Sequence, residues 1–416
     1  MRFQRFLLSF MLVTARAASA QTIPNVLTED DAVRIAQGSQ SVIALSAAQL
    51  DLARSDIERE RRWPNPTLDY TRESAGETEQ FLTLSQSFDF SGRRAMRRRA
   101  AELRVEATQQ EVAGQQLDLA RIVRSEFSRA ASQQELVRAL TEWSRKIGAA
   151  ADTAARLQAG GEVSGYDRRR LERERIGAEA RLAAERGALI AAQRRLASFL
   201  GSENLDGVTL QRPTPPEIPA DAELTTRIEQ RPDVAAIAKR IEAATLDQQA
   251  AQRWRVPLFD LTAGMKNTQA DSGAIFGAGV SLPLFNRNQD ELLRANAELA
   301  ILNAQRTLLV TRAHGEVGGL AAEARELRNA ARLFREQALP TSERLTATAE
   351  AAYRAGEVGI LELLDAYRTA LDGEVEAAEL EQRAREAEID LTRALGTEIR
   401  NQKAEGRNGG TGHETN

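Results

Sequence analysis

Apolar residues follow two different periods along this chain, and the periods alternate. In Gly92 to about Leu157 there is no proline, and Val112, Leu119, Val123, Ala130 and Val137 fall at spacings of seven and four. A later stretch repeats the theme, with Leu320, Ala324, Leu327, Ala331, Phe334 and Ala338 stepping by four and three. Such seams predict long helices packed as coiled coils, and the many alanines allow close approach. Pro340 lies inside the second stretch and is expected to kink or break it. Before each long stretch the period drops to two. Thr67 to Thr71 alternates, Ser74 to Glu77 turns, and Gln80 to Phe90 alternates again with Leu82, Leu84, Phe88 and Phe90 on one face. Leu258 to Met265 is a matching strand, Asn267 to Gly273 a polar loop, and Phe276, Ala278, Val280 and Leu282 line one face of a fourth strand. Ten to eleven residues of such alternation fit a transmembrane β-strand, and a soluble hairpin with one buried face is the other reading.

The order of these elements is stated twice. Gln158-Ala159-Gly160-Gly161-Glu162-Val163-Ser164 returns as Arg354-Ala355-Gly356-Glu357-Val358-Gly359, at an offset of 195–196 residues. Leu84 to Phe88 matches Val280 to Leu284, Phe199-Leu200-Gly201 matches Ala394-Leu395-Gly396, and Trp63 and Pro66 match Trp254 and Pro257. The period is too long for a solenoid unit and marks a duplicated half-domain. The predicted organisation is a signal peptide over 1–20 and a first repeat over 21–200, with hairpin 66–90, long helix 91–158 and tip turn 159–164. A proline-rich linker over 201–221 follows, then a second repeat over 222–397, with hairpin 257–284, long helix 287–355 and tip turn 355–360. The glycine-rich tail, 398–416, is expected to be disordered.

Shorter helices are predicted over 28–61 and 164–200, and over 222–253 and 360–396. Thr28 begins the first with Asp31 as an imperfect capping-box partner, and Pro64-Asn65-Pro66 ends it. Each pair matches one long helix in length, so each repeat predicts a helical wall about 100 Å long. Hairpins stand at one end of that wall and glycine turns at the other. Asp206 to Leu210 is read as a further short strand in the linker.

Composition narrows the setting. Arg2 and Arg5, the apolar run Phe6 to Val13 and the small residues Ala18-Ser19-Ala20 read as a cleavable secretory signal, too short to span a membrane. Its removal takes away Arg2, Arg5 and Arg16 and no acid, so the formal net charge of −4 becomes more negative by three. That balance argues against nucleic acid. With no cysteine the chain has no disulfide and no site for N-terminal lipidation. Past the signal no apolar stretch is long enough for a membrane helix, so spanning would have to use strands. Four strands cannot close a pore, whereas three copies supply twelve.

Trp63-Pro64-Asn65-Pro66-Thr67-Leu68, the run Leu84 to Arg94 ending in Ser91-Gly92-Arg93-Arg94, and Arg231-Pro232-Asp233-Val234 resemble the TolC outer-membrane efflux family over about residues 27–397. The Ser-Gly-Arg-Arg run is most similar to its heavy-metal, CzcC-like branch. The resemblance implies a mostly α fold with a small β part: a long α-helical coiled-coil barrel plus four transmembrane strands per chain, in two structural repeats. It further implies a homotrimer sharing a twelve-stranded barrel in the outer membrane of a Gram-negative bacterium, with a helical tunnel in the periplasm. The implied partners are a periplasmic adaptor, an inner-membrane resistance-nodulation-division pump and outer-membrane lipid. Some relatives are lipoproteins, from which this chain departs.

No catalytic constellation, cofactor motif or metal set stands out, and His314 is isolated with His413 in the tail. The acids along the helices read as solvated faces. The candidate functional residues therefore fall mainly at the turns. By resemblance, Arg156, Leu157, Gly160, Val163 and Ser164, with Arg354, Gly356, Val358, Gly359 and Ile360, are assigned to adaptor docking, Val163 and Val358 as exposed apolar side chains. An ordinary helix–turn–helix corner is the simpler reading. Glu362 and Asp365 share one helix face and would form rings of negative charge in a trimer, attracting cations. Asp167, Tyr353 and Arg354 are the expected gate-locking partners by the same resemblance. Trp63 and Trp254, with Arg93 and Arg94, are expected to anchor the wall at the membrane interface. The chain thus reads as the exit duct of a heavy-metal efflux system. Drug efflux or type I secretion through the same fold, and a periplasmic coiled-coil structural protein, are the alternatives.

Overall fold

A computed structural model describes residues 23–75, 77–161, 163–268 and 270–396. The signal at 1–20 and the tail at 398–416 lie outside the described residues. The fold is mostly helical with one small sheet at its end. It opens on β1 (Val26–Thr28), which pairs in parallel with β4 (Thr209–Gln211) of the linker. The linker strand was expected from sequence; its partner, three residues long, is too short to show alternation.

Two helices expected to be continuous are broken, at matching places in the repeats. Thr28 does cap the first helix: its hydroxyl accepts the Asp31 N–H at 3.2 Å and donates to the Asp31 carboxylate at 2.7 Å. That helix is only α1 (Glu29–Gln37), because Gly38 ends it and extended Ser39 starts α2 (Gln40–Arg61). In the second repeat α5 (Asp221–Ile228) gives way to α6 (Pro232–Gln252). Here Pro232 forces Arg231 out of the helical region and takes a first-turn position itself, where its missing N–H costs nothing.

The long helix α3 (Arg93–Ala159) runs unbroken for 67 residues, about 100 Å. It leads through a tight turn to α4 (Gly165–Leu200). Its counterpart is interrupted. α7 (Gln289–Leu333) meets a five-residue π-helical segment, Phe334–Ala338, before α8 (Leu339–Arg354), and a second turn leads to α9 (Ile360–Leu395). The expected disruption at Pro340 therefore takes the form of a π turn, which absorbs the lost N–H without ending the rod.

The seam residues form separate cores strung along the wall. At the waist of the first repeat, Leu27, Val33 and Ile35 pack on Val123, Phe127 and Leu196. The second repeat repeats this with Leu224 and Ile228 against Val317, Ala321 and Leu391. At the turns, one cluster joins all four helices: Ile147 and Ala154 of α3, Leu171 of α4, Ile360, Leu363, Leu364 and Tyr367 of α9, and Ala349 and Tyr353 of α8.

The sheet is antiparallel in the order β2 (Thr67–Ala75), β3 (Glu77–Phe88), β5 (Leu258–Asn267), β6 (Ser272–Ser281). Its register keeps the alternation of all four strands in phase. Leu68 faces Leu84, Leu84 faces Ala263, and Ala263 faces Phe276. Tyr70, Leu82 and Met265 form a second apolar row, and Phe88, Phe259 and Val280 a third. The opposite face carries Asp69, Thr83, Ser85, Ser87, Asp260, Thr262 and Lys266. Ser85 and Thr262 share a hydrogen bond of 2.9 Å across that polar face. The apolar face is uncovered: Leu68, Leu84, Leu261, Met265 and Phe276 are all exposed.

Candidate functional site

Three places gather the side chains singled out by the sequence, together with others that it hid. The first is the pair of turns. α3 ends through Gly161 at φ +81 and α8 through Gly356 at φ +73, a backbone state that favours glycine. Gly160 itself is right-handed, so the left-handed role belongs to its neighbour. At the second turn the Gly356 N–H donates to Tyr353 O at 3.1 Å and the Glu357 N–H to Ala352 O at 2.9 Å, which closes the helix end.

The helices leaving the turns are capped in equivalent ways. The Ser164 hydroxyl accepts the Asp167 N–H at 3.1 Å and donates to the Asp167 carboxylate at 2.7 Å. In the second turn Gly359 stands where Ser164 does, and the carboxylate of Glu362 folds back over it. Asp167 and Glu362 are thus the same third-position acid, favoured by the helix N-terminus. Asp365 has no acidic twin, since Arg170 takes its place in the first repeat.

Ile360 is only 6 % exposed and belongs to the core of the turn, so it holds the corner from within and offers no contact outward. Val163 and Val358 are half-buried, not the exposed apolar tips expected, because the corner folds back on its own helices, and Leu157 is half-buried with them. Arg156, Arg354, Glu362 and Asp365 are exposed. Glu362 and Asp365 lie away from the packed face of Ile360, Leu363, Leu364 and Tyr367. Arg354 donates only to its own helix, to Glu350 O at 3.1 Å. Half-buried Tyr353 approaches Asp167: burial, and then the Asp167 charge, push its hydroxyl pKa up. No hydrogen bond or ion pair joins Asp167, Tyr353 and Arg354 among the described residues, although they share one end of the molecule.

The bonds that do tie the two hairpins together are ones the sequence reading missed. Arg368 of α9 pairs with Glu174 of α4 at 2.7 Å, and Lys146 of α3 with Glu350 of α8 at 3.8 Å. Burial would raise the Glu174 pKa, but Arg368 and Arg173 hold it below the usual range. Lys146 also lies over the Tyr367 ring at 5.8 Å, and burial with the Glu350 charge pushes that phenol up to about 12. A signal was available: Glu174 interrupts the buried stripe Leu171, Ala178, Leu182 at helical spacing.

The second place is the junction between sheet and helices. Trp63, Trp254, Arg93 and Arg94 do meet here, as two stacked pairs: Arg93 over Trp254 at 4.1 Å and Arg94 over Trp63 at 4.4 Å. Neither arginine is a free anchor. Arg93 is 5 % exposed and donates to Asp89 at 2.6 Å, while Asp89 also accepts from the Ser91 N–H and hydroxyl. Arg94 donates to Arg62 O at 2.6 Å and Arg61 O at 3.2 Å, closing the C-terminus of α2. Gly92 sits at φ +75 with the Arg253 guanidinium where a Cβ would lie. The Ser91-Gly92-Arg93-Arg94 run is therefore a folded joint. Trp63, Phe88, Phe90 and Phe259 make an aromatic chain beside it, with successive ring centroids 5.8–6.2 Å apart.

The third place is the waist, where buried charges cross between the repeats. Glu29 of α1, 2 % exposed, accepts from Arg385 of α9 at 3.1 Å and pairs with Arg124 of α3 at 3.2 Å. Arg385 also holds Glu388 at 3.0 Å, which accepts from Arg328 of α7 at 2.8 Å. Arg212 of the linker reaches Glu135 at 3.2 Å and Ser132 at 2.8 Å, and shares Glu381 with Arg335 of the π segment. Burial pushes the Glu29 carboxyl up, only partly offset by Arg385 and Arg124. The Arg231-Pro232-Asp233 run acts nearby. Arg231 binds Asp233 at 2.7 Å and donates to Ala394 O at 2.7 Å, pinning the end of α9.

No helix among the described residues is long and apolar enough to cross a membrane. Nor do three or more His, Cys, Asp or Glu side chains gather to hold a metal ion among them.

Known proteins with this architecture give it context. The family model described as Outer membrane efflux protein matches residues 33–202 and 225–397, one block in each repeat. The cobalt-zinc-cadmium resistance protein CzcC of Cupriavidus metallidurans is 27% identical over 387 residues, covering 89% of this chain and 90% of that protein. Among solved structures, CusC, described as forming a transmembrane channel, superposes with a TM-score of 0.72 at 19% identity, covering 89% of this chain and 92% of that one. The open state of the MtrE outer membrane channel of Neisseria gonorrhoeae gives 0.73 at 19% identity, covering 90% of each chain.

Proposed function

We propose that this chain, which belongs to the outer membrane efflux protein family, is the exit duct of a tripartite pump that exports heavy-metal cations. It is an outer-membrane efflux channel of a Gram-negative bacterium and not an enzyme. The observation that carries the duct reading is the sheet, with one predominantly apolar face exposed and both edges, β2 and β6, unpaired among the described residues. Open edges are not tolerated in lipid, so copies must complete one another, and three copies close a twelve-stranded barrel. The helices agree. α2 buries none of its residues and exposes Ile43, Leu45 and Leu52, while α7 exposes Leu293, Ile301 and Leu308. In a trimer these two outer helices meet across each subunit boundary.

The rest of the assembly follows from this placement. A barrel in the outer membrane puts the turns about 100 Å away, inside the periplasm. There they dock the hairpins of a periplasmic adaptor, near-sixfold because both turns share one geometry. Arg156, Arg354 and the half-buried Val163 and Val358 form that surface. Energy comes from an inner-membrane resistance-nodulation-division pump. Metal as the cargo draws on the likeness to a cobalt-zinc-cadmium resistance protein. Deletion of the gene is expected to lower tolerance to divalent transition metals several-fold while leaving drug tolerance unchanged. Plasmid-borne wild type should restore it. Lost drug tolerance with normal metal tolerance would give the cargo to the drug-efflux alternative.

Glu362 and Asp365 set the selectivity of the periplasmic mouth. Their helix face is exposed, and threefold symmetry gathers six carboxylates there. Single-channel recordings of the Glu362→Ala/Asp365→Ala protein should show reduced cation preference and a higher conductance for anions. An unchanged reversal potential in a salt gradient would remove both residues from the gate.

A further inference from the structure

We propose that the cleft between α2 and α3 at the foot of the sheet binds the phosphate of a membrane phospholipid, held by Arg62 and Arg97. The proposal rests on reading the sheet as part of a membrane barrel. The cleft measures about 980 Å³. Five arginines line it, Arg59, Arg62, Arg93, Arg94 and Arg97, against two carboxylates, Glu58 and Asp89.

Most of these charges are already committed. Arg93 is spent on Asp89, Arg94 on the carbonyls of α2 and the Trp63 face, and Arg59 on Asp56. Glu58 pairs with Arg61 at 3.7 Å. The Arg62 and Arg97 side chains make no hydrogen bond or ion pair among the described residues; Arg97 feels the charge of Asp247, which already pairs with Arg104. Two unpaired guanidiniums on one cleft leave an electrostatic gap that a phosphate fills, since its oxygens match the planar donor fork.

Position selects the source of that phosphate. Phe88 and Phe259 end the apolar face of the sheet, and Trp63 meets Phe88 at 5.8 Å on the helix side. Going down the molecule, exposed aliphatic rows give way to an aromatic belt and then to arginines. This is the order in which acyl chains give way to headgroups. The second junction lacks the site. There Leu293 stands in place of Arg97, and Arg253, the counterpart of Arg62, donates to Ser91 O at 3.2 Å. Each chain therefore carries one site, and a trimer carries three.

The test uses the full chain extracted in mild detergent. Phospholipid retained per protein is measured after washing, and thermal stabilisation is titrated with a short-chain phosphatidylglycerol. Arg62→Gln/Arg97→Gln is expected to lose about tenfold in lipid affinity per arginine. Arg62→Lys/Arg97→Lys should keep most of it, and Arg181→Gln/Arg186→Gln, far along α4, should match wild type. Equal lipid retention in the Gln and wild-type proteins overturns the proposal. Stabilisation by inorganic phosphate equal to that by lipid also overturns it, in favour of a free anion. Heat-resistant trimers in the outer-membrane fraction are scored separately. Their absence in wild type defeats the barrel reading, whereas trimers with unaltered lipid binding defeat the lipid site alone.

Discussion

Arg385→Ala is expected to destabilise the protein by about 3–5 kcal/mol, the usual cost of breaking a buried ion pair from one side. The substitution strips Glu29 of its main partner and Glu388 of one of two, while both carboxylates stay buried. Burial already pushes the Glu29 pKa up, so the carboxylate, left with Arg124 alone, would take a proton or open the waist to water. Chemical denaturation of the detergent-solubilised trimer, followed by circular dichroism, reads the loss. Glu29→Gln/Arg385→Met removes the charge from both sides and should recover much of the stability. A loss below about 1 kcal/mol in the single variant would show that the pair behaves as a surface contact. The network matters beyond its energy. It joins α1 and α3 of the first repeat to α7 and α9 of the second, so it fixes how the two halves of the wall meet.

Ala263→Arg should abolish assembly in the outer membrane, while Thr262→Arg one residue away should not. Ala263 lies midway along β5 on the apolar face, beside Leu84 and Phe276. An arginine at the midplane of a barrel's lipid face costs about 2–4 kcal/mol per copy, and a trimer carries three. Thr262 lies on the polar face with Lys266, so an arginine there enters the lumen and should lower cation conductance instead. Heat-resistant trimers in membrane fractions separate the two outcomes. Trimers formed by Ala263→Arg but not by Thr262→Arg would turn the sheet inside out.

Several features were legible because they are local. The period-two strands, the glycine turns and the 67-residue helix each follow from residues close in sequence. The duplication was visible for the same reason, and it located both turns. The breaks at Gly38 and Arg231 were less visible, because the helical pattern resumes directly after Gly38-Ser39 and from Pro232 onward. Burial was misjudged where a corner packs on itself, as at Ile360 and Val358. Arg93 and Arg94 lie at the junction of the sheet and α3, and their partners, Asp89, Trp254 and the end of α2, come from segments that the local pattern does not name.

By itself the sequence determined the period of each segment, the order of the elements, the positions of the turns and the twofold repetition. Each depends on backbone preference and on which face of one element is apolar, quantities carried by neighbouring residues. Only the tertiary structure decided which charges are spent and which are free. Glu29 meets Arg385 across 356 positions, Glu174 meets Arg368, and the Arg62 and Arg97 side chains form no hydrogen bond or ion pair among the described residues. An arginine on a helix surface reads the same whether water or a buried carboxylate faces it. Which one does depends on the packing of distant segments, where a few ångströms separate a solvated charge from a paired one.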